Sequence, residues 1–155
     1  MKEKTLFAWE VDFEDVVKQI NVSAKRLKAL NELGRQGKVS QATLEFLRKD
    51  FEQAVKSAES RKNEMMNRLA SKLSELKDQA GLLEKCLTST EVRFVSGEIK
   101  EDRYNKVAEA LKLGLEETLN ELESVQEAIM ILSKSGTREE STSEESTSPG
   151  TITVE

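Results

Sequence analysis

The side chains that most often do chemistry are missing from this sequence or carried in the wrong setting. There is no histidine and a single cysteine, Cys86, so neither a Cys/His metal site nor an intramolecular disulfide can be assembled. Carboxylates are plentiful, 29 Asp and Glu against 24 Lys and Arg. General acid/base work needs such groups held in a pocket that shifts their pKa, and the pattern reveals no pocket. Glycine-rich phosphate loops and nucleophile elbows are absent too. The reading is therefore non-enzymatic, with no catalytic residue, cofactor, metal or small-molecule substrate expected. Cys86, next to the seam residues Leu83 and Leu87, is expected to be a partly buried, inert thiol.

Two groupings point to binding instead. Lys18, Lys25, Lys28 and Arg35 fall on one face of a helix, with Arg26 beside them and Glu32 opposing. Such a stripe suits DNA phosphates or an anionic membrane surface. It equally suits a solvated face, or pairing with acids of the next helix. The chain as a whole is acidic, net −5, which argues against a wholesale polyanion binder. The second grouping is Thr151, Ile152, Thr153 and Val154, which follow Pro149-Gly150 and alternate apolar and polar as a strand does. A strand with no sheet of its own is expected to add to the edge of a partner's sheet, the competing reading being a frayed terminus.

The elements that must carry these groups are helical. Hydrophobic residues make up 37 %, charged residues 34 % and aromatics 5 %, with one proline, a composition close to that of long helices packed along narrow seams. Residues 1–12 form a lead-in whose apolar run, 5–11, fits a short strand or the start of a helix. From Phe13 the steps of three and four begin: Phe13, Val16, Val17, Ile20, Ala24, Leu27, Leu30. Gly34 and Gly37 end this helix, and Ser40 can cap the next. The second helix is expected to run from 41 to 94. It carries one seam through Leu44, Leu47, Phe51, Ala54, Ala58 and Met65, and another through Leu69, Leu73, Leu76, Ala80, Leu83, Leu87 and Phe94. The phase slips around residues 65–73, which predicts a stutter or a change of packing partner. Ser96-Gly97 stops the helix. A third begins near Glu101 with the cleanest repeat, Tyr104, Ala108, Leu111, Leu115, Thr118, Leu122, Val125, Ile129 and Leu132. Short connections make neighbouring helices antiparallel. The expected fold is all-α: elongated antiparallel hairpins of a coiled coil over 13–132, three helices with a long middle one. A disordered acidic tether follows at 133–150, where Glu139-Glu140-Ser141-Thr142-Ser143 repeats as Glu144-Glu145-Ser146-Thr147-Ser148.

The two corners look alike. Gly37-Lys38-Val39 corresponds to Gly97-Glu98-Ile99 sixty residues later, with Leu44, Leu47 and Phe51 matched by Tyr104, Val107 and Leu111. Glycine at 37 and 97 permits the reversal, and Val39 and Ile99 staple it. A true repeat and the common physics of any helical corner both produce this pattern.

The spacing Leu27-x2-Leu30-x2-Leu33-x3-Gly37-x-Val39-x4-Leu44, with its second corner Val95-x-Gly97-x-Ile99-x4-Tyr104, resembles the coiled-coil region of the archaeal cell-division protein A (CdvA-like) family over roughly residues 24–132. The resemblance implies a self-assembling coiled coil, hence a homo-oligomer. It also implies a C-terminal segment that recruits an ESCRT-like polymer subunit as protein partner. The family's coiled coil follows an N-terminal β-barrel, which is not expected here because only about a dozen residues precede the first helix. No apolar run reaches the ~20 residues of a membrane span and the start lacks a signal peptide's apolar stretch, so a cytoplasmic location is expected. The functional expectation is a coiled-coil assembly or adaptor protein for cell division. The alternative is a generic helical scaffold or regulatory coiled coil whose tail only solubilises.

Overall fold

The computed structural model describes residues 6–136, and 89 % of it is helix. There are three α-helices and, among the described residues, no strand: α1 (Ala8–Arg35), α2 (Gln41–Val95) and α3 (Glu101–Ser133). α1 begins ahead of the Phe13 expected. The Phe7 N–H donates to Glu10 Oε1 at 2.9 Å, so a first-turn carboxylate satisfies an amide that the helix cannot. Trp9 is then buried and meets the Phe13 ring edge-on, centroids 6.1 Å apart, an arrangement that aromatic quadrupoles favour. The lead-in's apolar run is thus helical from Ala8 onward.

Both corners are built by the same pair of bonds. At the first, the Gly37 N–H donates to Gly34 O and the Lys38 N–H to Leu33 O, both at 3.1 Å. At the second, the Gly97 N–H donates to Phe94 O and the Glu98 N–H to Arg93 O, at 3.1 and 2.8 Å. This is the Schellman arrangement, which closes a helix C-terminus through one left-handed residue. Gly37 and Gly97 supply it at φ 73° and 87°. Gly34 does not share the role expected of it, because it lies inside α1 with helical backbone. Ser40 caps α2 as expected, its hydroxyl accepting from the Thr43 N–H at 3.3 Å. Val39 and Leu44, like Ile99 and Tyr104, hold the two positions of a hydrophobic staple and are at least half-buried.

The chain divides into two compact units. The first comprises, of the described residues, 6–67 and 130–136. In it α1 runs antiparallel to the first part of α2. Arg61 donates to Asp15 Oδ2 at 3.4 Å and to Gln19 Oε1, and Arg48 Nε donates to Asn31 Oδ1 at 3.3 Å. Val16, Ile20 and Leu30 of α1 are buried with Leu44, Ala58 and Met65 of α2, each contributing about 1.5–3 kcal/mol for the larger side chains. The end of α3 joins them. Leu132 is fully buried, and Lys62 Nζ donates to Ser135 O at 3.2 Å.

The second unit is residues 68–129, a hairpin of α2 and α3. Phe94 and Tyr104 stack across its corner at 4.4 Å and 14°. Below them Gln79 Nε2 donates to Thr118 Oγ1 at 2.8 Å, and Lys72 approaches Glu121 at 3.8 Å. Leu69, Leu76, Ala108, Val125 and Ala128 are buried in its seam. The boundary between units at 67/68 lies within the phase slip read at 65–73. The slip marks the change of packing partner, since α2 turns one seam to α1 and the other to α3.

Candidate interaction surfaces

The basic residues of α1 divide into two pairs. Lys28 and Arg35 line a groove of about 390 Å³ in the first unit, together with Arg48 from α2 and the apolar side chains of Leu27 and Val55. Lys18 and Lys25 are exposed on α1 but form no part of its walls. The groove thus gathers two of the four stripe cations and leaves the other two on the open face of α1. Arg48 was missed in the sequence because it arrives from the facing helix, and no periodicity within α1 points to it. One anion shares the groove. Glu32 accepts from Arg35 and, at 3.1 Å, from Gln36 Nε2. The hydrogen bond from Arg35, then that from Gln36, then the guanidinium charge hold its carboxyl below the usual carboxylate range. Arg48 is bonded to the neutral amide of Asn31.

The hairpin unit also leaves apolar side chains exposed. Val92, Val95 and Leu82 are 59 %, 84 % and 62 % exposed on α2, and Leu113 is 57 % exposed on α3. Val92 and Val95 border an open, mostly apolar depression of about 380 Å³ with Thr88 and Glu91. Cys86 is exposed on this helix, which corrects the expectation of a partly buried thiol. Adjacency to Leu83 and Leu87 did not bury it, because one residue is a 100° turn on a helix and carries a side chain off a narrow seam. Buried polar groups are few. Thr118, 4 % exposed, sits in the α2–α3 seam, accepts from Gln79 and donates to Gly114 O at 2.8 Å. No acidic, cysteine or histidine cluster of metal-binding geometry occurs among the described residues. Among the described residues, no helix is long and apolar enough to cross a membrane. Thr151, Ile152, Thr153 and Val154 lie outside the described residues, whereas the corner residues Gly37, Val39, Gly97 and Ile99 shape the two reversals.

The helical hairpins and their matched corners are those of a coiled-coil module, and the family comparison specifies which. The family model described as the CdvA-like coiled-coil domain matches residues 8–153. The chain belongs to the CdvA-like coiled-coil family. Among curated proteins, the Cell division protein A of Sulfolobus acidocaldarius is 22 % identical over 152 residues, covering 92 % of this chain and 64 % of that protein. The chain thus spans just under two-thirds of the length of this relative. No solved structure matches. The CdvA-like match begins with the first turn of α1 and continues past α3 to Thr153, so the matched range spans the acidic segment as well as the helices.

Proposed function

We propose that this CdvA-like chain is an assembly and adaptor protein of cell division, whose helical body self-associates and whose C-terminal segment recruits an ESCRT-like polymer subunit. The observation that carries the reading is the extent of the family match. It runs through a Glu-, Ser- and Thr-rich segment with nothing apolar to bury and ends only in the β-branched residues at the terminus. Self-association is supported by Leu82, Val92, Val95 and Leu113. They leave apolar surface on a two-helix unit, where a third or fourth helix would complete the packing. Recruitment is supported by Ile152 and Val154, two residues apart and so on one face of an extended strand. They would fill alternate pockets while the backbone of 151–154 adds to a sheet edge.

The test of the adaptor role is capture of a purified ESCRT-like subunit by the full chain and by Ile152→Ser/Val154→Ser. The account expects capture by the former alone, with helicity and self-association the same in both, and an affinity moderated by the ordering of the segment on binding. Equal capture by both places recruitment on the helices. No capture by either leaves a helical scaffold with a solubilising tail.

A further inference from the structure

The groove in the first unit has a charge imbalance and a neighbour that suits it. Lys28, Arg35 and Arg48 line it against the single carboxylate of Glu32, which is engaged by Arg35. Among the described residues Lys28 has no anionic partner, and Arg48 reaches only the Asn31 amide. Its floor is Leu27 and Val55, so the cations stand beside apolar surface, where an ion pair is less screened than in open water. At one end of the groove is Gly136, the last described residue. The chain there is pressed so closely onto α1 and α2 that a methyl group on Gly136 would lie 3.3 Å from Ile20 Cγ2 and 3.1 Å from Glu59 Oε2. The next residues in sequence carry Glu139-Glu140 and Glu144-Glu145, with Arg138 as the one opposing charge between Gly136 and Glu145.

We infer that this acidic segment docks in the groove of its own chain, Glu139 and Glu140 meeting Lys28 and Glu144 and Glu145 meeting Arg35 and Arg48. Reach permits it. Going along α1 from Ile20 to Lys28 is about 12 Å and to Arg35 about 22 Å, at 1.5 Å per residue. Three to four extended residues after Gly136 cover about 10–14 Å, and eight to nine cover about 26–32 Å. Both Glu pairs are therefore within reach of the cations, the second pair with slack to spare. Ser and Thr between the pairs add hydroxyls without bulk, and nothing in the segment competes for the apolar seam. Docking fills the cationic groove with the chain's own carboxylates. External phosphates are then excluded from Lys28 and Arg48 unless they displace the tail.

The experiment uses the full chain with Cys86→Ser and a nitroxide on Ser143→Cys, reading paramagnetic loss of amide signal along residues 24–35 and 48–55. Tethering at Gly136 alone gives some loss near Ile20 and Ala24, so the deciding readout is charge dependence. The inference predicts strong loss at Lys28, Asn31 and Arg48 at low salt. It predicts recovery in about 0.5 M salt, where the Debye length falls to roughly 4 Å, and recovery in Glu139→Gln/Glu140→Gln/Glu144→Gln/Glu145→Gln at low salt with helicity unchanged. Signals at those three residues that are unaffected by the label, or lost equally with the four Gln, overturn it. Loss appearing only between a labelled chain and a separate isotopic chain also overturns it and assigns the contact to a second copy.

Discussion

Single side chains show how narrow the packing is. Leu69 is 1 % exposed, and Leu69→Ala removes its contacts and leaves a cavity, so a loss of about 2–5 kcal/mol in urea denaturation is expected. A change below about 1 kcal/mol would mean that the seam collapses around the void and is not close-packed. Thr118 should behave differently. Its hydroxyl is satisfied by Gln79 and Gly114, and Gln79 is itself exposed, so Thr118→Val removes a polar group from the seam while Gln79 turns to water. Stability should shift by no more than about 1 kcal/mol, as polar seam residues act more on register than on stability. A loss of several kcal/mol on calorimetry would show instead that the Gln79 bond holds the hairpin together.

At the scale of elements, the seams were legible and the ends were not. Every seam residue named from the spacing in α2 and α3, from Leu44 to Leu132, is at least half-buried, because period alone fixes which face of a helix is apolar. The left-handed corner at Gly37 was legible for the same local reason. The start at Ala8 was not, since its cap is a backbone N–H met by Glu10 in place of a Ser, Thr, Asp or Asn at the cap position. Nor was the seating of Leu132 and Ser135 in the first unit, a contact more than seventy residues away in sequence at Lys62. The groove was half legible: Lys28 and Arg35 came from α1's own spacing, while Arg48 needed the register of two helices. The corners lend themselves to a direct measurement. A Cβ at Gly37 or Gly97 meets nothing within 4 Å, so the cost of Gly→Ala at either is purely that of the left-handed backbone, about 1–2 kcal/mol. Asn, which tolerates that conformation, should lose less than Ala. If Ala costs nothing in thermal unfolding, the corner can adopt another turn. Leu111→Asp with Leu122→Asp tests the α3 seam more severely, since unpaired charges there should unfold the hairpin unit. An unchanged melting profile would contradict the seam.

On the scale of the whole molecule, the helices leave apolar side chains exposed on the hairpin unit and a cationic groove in the first unit, and the sequence continues into an acidic segment followed by Ile152 and Val154. The exposed apolar side chains bear on whether this helical chain assembles with copies of itself. Multi-angle light scattering of the full chain over a range of concentrations tests it most directly. The mass should rise to a multiple of the 17.4 kDa chain and return to that of one chain in Leu82→Ser/Val92→Ser/Val95→Ser with helicity preserved. A single-chain mass at every concentration would contradict it.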